Sequence, residues 1–208
     1  IEHLMFSLSS LGITNIKIKT YSSEIPIMDG SSKIFIDEIL NAGLTTQKTK
    51  SKFLKIKKKI EIKNNGKLMS ISPNKSNDLE VSLKLNYKNK IIGNQDFRYI
   101  HSNSHYLKIY DCRTFCLQED LEKIFAMGLG KGGSLDNAII VSGEKVLNQD
   151  GLRYKDEFVR HKVLDCVGDL YLSGYKIIGK IYGYQSGHEM TAMLLKEIFK
   201  KKSNYEII

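Results

Sequence analysis

Two hydrophobic periods run through this chain in separate blocks, and they constrain its fold more than any other feature. Leu79, Val81, Leu83 and Leu85 alternate with polar residues, whereas Phe158, Val159, Val163, Leu164, Val167 and Leu170 recur every three or four. A period of two belongs to a half-buried strand and a period near 3.6 to a helix. A chain holding both must lay helical stripes on sheet faces, so α+β is the expected class.

The blocks can be followed along the chain. Leu4, Leu8 and Leu11 mark a helix over Ile1 to Leu11, with Gly12 as its stop. Because the chain opens inside that helix, a missing upstream segment is expected. Ile16 and Ile18 alternate with lysines as a strand from Asn15 to Thr20. Ser31 or Ser32 can cap a helix over Lys33 to Ala42, which Gly43 ends. Phe53 to Lys57 and then Ile60 and Ile62 read as strands. Asn64-Asn65-Gly66 reads as a hairpin turn, with Leu68 to Ser72 as the return strand. The stretch Gln95 to Tyr110 fits a strand or a helix. Further on, the pattern predicts a helix over Glu119 to Met127, a Gly-rich loop over 128–134 and a buried strand over Ala138 to Val141. A long helix over Asp156 to Ser173 is closed by Gly174. A strand over Ile177 to Tyr184 and a helix over His188 to Lys200 complete the pattern.

Composition bounds the function. The net charge is +9, but 28 Lys stand against 4 Arg, and seven Lys crowd the segment Lys48 to Lys59. Nucleic-acid readers lean on Arg, whose planar fork suits phosphate and guanine. The Lys excess therefore reads as solvated surface, and no nucleic-acid partner is expected. Apolar residues at 41% exclude global disorder. No apolar run approaches the roughly 20 residues of a spanning helix, which leaves at most peripheral membrane association. Three unpatterned cysteines fit a reducing cytoplasm.

Several residues could carry chemistry. His161, Asp165 and Asp169 are spaced by four and form one stripe on the long helix. Such a stripe can grip a metal ion or can be a solvated charged face, and spacing alone favours the latter. His3 beside Glu2 could pair a ligand with a general base, or be a surface pair at a helix start. His188 sits at a strand-to-helix junction. His101 and His105 read as surface residues. The Gly-rich run lacks the Gly-Lys-Ser or Gly-Lys-Thr ending of a phosphate loop, and the cysteines form no Cys-x-x-Cys pair.

Taken together, certain blocks resemble one family. They are Glu2-His3-Leu4-Met5, Ile25 to Ser31, Arg113-Thr114-Phe115, Gly132 to Ala138, Asp156 to Asp165 with Gly168-Asp169-Leu170, and Ser186-Gly187-His188. Their order and separations resemble the zinc-dependent UDP-3-O-acyl-N-acetylglucosamine deacetylases of lipid A biosynthesis. The resemblance implies two α+β domains whose helical layers pack together between outer sheets. The first would be incomplete and occupy residues 1–47, and the second would occupy 48–208. It implies a cytoplasmic monomer near the inner membrane surface, acting on a UDP-linked acylated N-acetylglucosamine. His3, His161 and Asp165 would hold Zn2+. Glu2 would be the general base, Thr114 an oxyanion donor, and His188, held by Asp169, the cationic partner of the leaving amine. Lys162 and Lys67 would meet diphosphate or sugar oxygens. Asp120 would hydrogen-bond the substrate and Phe115 would pack on the hexosamine. Leu117, Leu121, Leu135 and Ile140 would line the passage for the acyl chain.

Four places depart from the family pattern. Cys116 replaces an expected Gly, and Asn86 to Lys90 replaces an Asp-Phe-x-His-Pro segment. Lys131 occupies an apolar position, and Thr191 stands where Asn is expected. A truncated, non-catalytic relic of the same fold is the alternative these departures raise.

Overall fold

The computed structural model describes residues 1–102, 104–128, 130 and 132–208, with the Ile124 side chain excepted. Lys131 therefore lies outside the described residues. Among the described residues there are five α-helices: α1 (Glu2–Leu11), α2 (Lys33–Ala42), α3 (Leu121–Ala126), α4 (Glu157–Tyr171) and α5 (His188–Phe199). The strands are β1 (Phe53–Ile56), β2 (Ile60–Asn64), β3 (Lys67–Ser72), β4 (Leu79–Asn86), β5 (Asn94–His101), β6 (Phe115–Leu117), β7 (Ile139–Ser142), β8 (Lys145–Val146), β9 (Lys176–Tyr184) and β10 (Tyr205–Ile207).

The alternation in β4 is reproduced in its burial, with Leu79, Val81, Leu83 and Leu85 all inside. Asn65 and Gly66 both have positive φ, 47° and 77°, as a two-residue turn between twisted strands requires. They join β2 to β3 with Asn64 opposite Lys67. The open choice over Gln95 to Tyr110 resolves into β5 and a 3-10 turn at His105–Lys108.

β9 organises the main sheet. It pairs parallel with β1 and β4 and antiparallel with β3. β3 and β4 both pair with its last residues, so they occupy opposite edges. β5 extends the sheet from β4, β2 from β3, and β10 from β1. A smaller sheet joins β6, β7 and β8.

α4 packs on β4 and β5, and also on α1; α5 packs on β2 and β3. α4 is buried on nearly every side, including the stripe of His161, Asp165 and Asp169. That stripe is therefore no solvated face. α1 crosses α4 at Gly168, where an added Cβ would sit 2.1 Å from the Glu2 carbonyl oxygen. α1 ends as predicted at Gly12, whose left-handed φ of 71° lets Gly12 N–H donate to Ser9 O and Ile13 N–H to Leu8 O.

Three expectations need correction. Asn15 to Thr20 forms no strand, and Ile16 and Ile18 are about half exposed; no described strand offers them a ladder. Ser32 precedes α2 but its hydroxyl donates to His3 O instead of capping the helix, while Ser31 Oγ accepts from Lys33 N–H. His101 is not a surface residue: it hydrogen-bonds Ser9 Oγ at 2.8 Å and Tyr99 OH at 3.2 Å. Burial, with Lys176 nearby, lowers its pKa to about 4.

Candidate metal centre

α1 and α4 bring His3 to His161 and Asp165. The two imidazoles meet edge to face with centroids 5.0 Å apart. Asp165 Oδ1 lies 3.1 Å from His161 Nε2 and 3.6 Å from His3 Nε2. All three residues are buried, yet His3 Nε2, His161 Nε2 and Asp165 Oδ1 make no hydrogen bond. The 3.1 Å approach is thus electrostatic contact without hydrogen-bond alignment. Orphaned buried polar atoms cost roughly 1–3 kcal/mol each, so a converging trio of them calls for a cation. The ligand atoms lie within 4.8 Å of one another, a group that could hold a metal ion. Two imidazole nitrogens and a carboxylate suit zinc and leave a fourth position open.

The electrostatics agree. Burial pushes Asp165 upward, but His161 above all, with His3 and Lys162, holds its carboxyl well below the usual range. His161 Nδ1–H donates to Cys112 O at 2.9 Å, which leaves Nε2 as the free donor atom.

Beside this trio stand Glu2, Asp165 and His188. His188 Nε2 is 3.8 Å from Glu2 Oε1 and 3.8 Å from Asp165 Oδ2. Its Nδ1–H donates to Asp169 Oδ2 at 2.8 Å. That bond, opposed by burial, raises the His188 pKa to about 9. Burial also raises the Asp169 carboxyl above the usual carboxylate range, against the hydrogen bond from His188 that lowers it. In metal-free protein, an NMR titration is expected to place His188 near 9, and Asp169→Asn to move the midpoint down towards about 6.5. The raised pKa stabilises the folded state fully below about 6.5 and fades as pH rises through 9. An unmoved midpoint in the variant would contradict the pairing.

The remaining candidates are placed as follows. Thr114 follows Cys112 by two residues, and its backbone is held by Gly30 O and Ile139 N–H at 2.8 Å each. Gly30 is needed there: its φ is +82° and a Cβ would meet Asn137 O at 1.9 Å. Phe115 packs edge-on to Phe158 at 4.9 Å, with Lys162 Nζ 5.6 Å above its ring. Lys162 and Lys67 line one cavity of about 510 Å³ together with Tyr87, Tyr184 and Ser186. Leu117 lines another of about 430 Å³ with Val141, while Leu121 begins α3 and is half-buried. Asp120 faces Lys123 at 3.6 Å. Leu135 is exposed and Ile140 buried. Cys116 lies in β6 and is not among the residues with positive φ, so replacing Gly there brings no backbone strain. Thr191 is buried and its hydroxyl donates to Gly187 O. Asn89, in the departing Asn86 to Lys90 segment, donates to Gly143 O. A cavity of about 540 Å³ lies at the far ends of α1 and α4 beside Ser9 and Tyr171. The metal trio does not line it.

Sequence reasoning missed the partners that fix the trio, namely Ser32 on His3 O and Cys112 O on His161. Backbone acceptors leave no residue-type signal.

A family model for UDP-3-O-acyl N-acetylglycosamine deacetylase matches residues 1–200. The chain belongs to the UDP-3-O-acyl N-acetylglycosamine deacetylase family. Relatives within it include UDP-3-O-acyl-N-acetylglucosamine deacetylases of Campylobacter jejuni subsp. doylei, 39% identical over 209 residues, and of Pasteurella multocida, 38% identical over 211. Each alignment covers 100% of this chain, and 70% and 68% of those relatives. Family membership agrees with the α+β fold expected from the sequence, and the buried His-His-Asp group suits a family of metalloenzymes. No helix among the described residues is long and apolar enough to cross a membrane.

Proposed function

We propose that the chain hydrolyses the acetamide of UDP-3-O-acyl-N-acetylglucosamine, releasing acetate at an early step of lipid A biosynthesis, with zinc as its metal. The observation that carries the reading is the buried group of His3, His161 and Asp165, whose facing atoms lack any other partner. These three would hold the ion. When bound, zinc supplies a Lewis acid that draws the pKa of water towards about 7 and polarises a carbonyl.

The chain's own residues do the rest. Glu2 takes a proton from the attacking water as it adds to the acetamide carbon. Thr114 donates to the oxyanion that develops. His188 Nδ1 is engaged by Asp169, so its Nε2–H, on the side of Glu2 and Asp165, is the proton available to the leaving amine. One proton is taken and one given, which yields acetic acid and a free amine, and the acid then loses its proton to solvent as acetate. Lys162 and Lys67, sharing a cavity, meet diphosphate or sugar oxygens. Phe115 packs on the hexosamine, Asp120 hydrogen-bonds it, and Leu117 and Leu121 border the acyl passage.

The same reading divides the chain at 47/48, within a stretch that holds neither helix nor strand. It places a monomer in the cytoplasm, at most peripherally on the inner membrane, without a nucleic-acid partner. The relic alternative is not favoured: the metal and proton-handling residues all stand together.

Acetate release from UDP-3-O-acyl-N-acetylglucosamine, assayed with and without a chelator, tests the proposal. Chelation is expected to lower the rate at least about 100-fold, and zinc at about one ion per chain to restore it. A rate indifferent to chelation would overturn the metal-dependent reading.

A further inference from the structure

Glu157 is fully buried and lies one helical turn before His161. Its Oε1 accepts from Arg113 N–H and from Arg113 Nε–H, each at 3.0 Å. Its Oε2 accepts from Arg153 N–H at 2.6 Å and from Arg113 Nη2–H at 3.3 Å. Both oxygens are thereby saturated and the carboxylate is fixed.

The Arg113 N–H belongs to the same peptide group as the Cys112 carbonyl. Among the described residues there is no cis peptide bond, so N–H and C=O point to opposite sides of that group. On one side the group donates to Glu157 and on the other it accepts His161 Nδ1–H at 2.9 Å. Metal-bound histidines ordinarily take their outer hydrogen bond from a carboxylate, a carbonyl or water. Here a carboxylate reaches the histidine through one amide.

We propose that Glu157 is a positioning residue for the metal ligand His161, acting through the peptide between Cys112 and Arg113. The proposal rests on the metal-site reading above. A carboxylate on the N–H side fixes the plane of the peptide and so aims the Cys112 carbonyl. It also draws electron density onto that carbonyl oxygen, as hydrogen bonds in series polarise one another. A stronger acceptor at Nδ1–H makes Nε2 a better electron-pair donor. The Arg113 guanidinium offsets much of the carboxylate's charge, so orientation comes first and polarisation second. The same clamp holds Thr114, the next residue along, at the start of the smaller sheet.

Zinc affinity, measured by chelator competition on the purified protein, separates this role from a merely structural one. Glu157→Gln is expected to weaken zinc binding about 10–100-fold. Arg113→Lys, which keeps the amide N–H bond but removes the guanidinium fork, is expected to lose thermal stability with a much smaller change in zinc affinity. Equal losses of affinity in the two variants, or an affinity for Glu157→Gln within about twofold of the wild type, would overturn the inference. If Glu157→Gln does not fold, Glu157→Asp carries the same comparison. A long-range 1H–15N spectrum of the metal-free wild-type protein supplies a check without substitution. It is expected to show the His161 proton on Nδ1, and a proton on Nε2 overturns the relay. A wild-type protein that binds no zinc counts against the metal site itself, whereas equal binding by wild type and variant counts against Glu157 alone.

Discussion

Gly168→Ala is expected to disable the site from a position that never touches substrate. Alanine favours a helix over glycine by about 1 kcal/mol, so propensity alone predicts a gain. The crossing with α1 reverses the sign. The new Cβ would lie 2.1 Å from Glu2 O and 3.1 Å from Phe6 N, both backbone atoms that no rotamer change can move aside. The helices must separate, and overpacking of this kind costs about 1–3 kcal/mol or more. A net loss of about 2 kcal/mol would lower Tm by roughly 4–8 °C in a chain of this size. Function suffers more, because the displaced residues are Glu2 and His3. A shift of about 1 Å in a catalytic group can cost on the order of 100-fold in rate. Thermal melts, zinc stoichiometry and kcat/KM together check this. An unchanged Tm and rate would mean that α1 and α4 do not cross closely at Gly168.

His161→Ala is expected to have the largest effect on turnover. It removes one of three proposed ligands, the T-shaped contact with His3 and the bond to Cys112 O. It also leaves Asp165, buried and held ionised chiefly by His161, without its main compensating neighbour. Loss of stoichiometric zinc should accompany a fall in kcat/KM of at least about 1,000-fold, roughly 4 kcal/mol of transition-state stabilisation. Asp169→Asn provides the contrast: it should alter His188 while retaining zinc. Metal analysis beside acetate release distinguishes the two. Stoichiometric zinc and unchanged deacetylation in His161→Ala would sink the ligand assignment.

Much of the scaffold could be read directly from residue order, because local rules decided it. β4 follows its alternation, and the β2–β3 turn follows from Asn65 and Gly66. α2 matches the expected Lys33–Ala42, and α1, α4 and α5 start and stop within two residues of their expected limits. Where a partner decides, local pattern misleads. Ile16 and Ile18 alternate like a strand, but a strand also needs a neighbour, and none is described. Tyr205–Ile207 is too short to show a period and becomes β10 only because β1 offers an edge. The His161, Asp165 and Asp169 stripe is the sharpest case. Its spacing is the same whether it faces water or a second helix, and only α1 across Gly168 settles which. The candidate site became legible through several ordered motifs together. Their contacts span distances, such as Arg113 to Glu157, over which hydrophobic periodicity says nothing.

The position of β9 bears on how the protein is made. A ribosome delivers the chain from its N-terminal end, and β2–β3 and β4–β5 can close as hairpins early. β1, β3 and β4 nevertheless wait for residues 176–184 before they share one sheet. Until then each presents a strand edge open to mispairing with another nascent chain. His188, four residues beyond β9, is among the last parts of the site to be synthesised. Assembly of the sheet and completion of the site are thus nearly one late event in biosynthesis. The long sequence separations of its pairings slow that event, and throughout the interval the strand edges stay open.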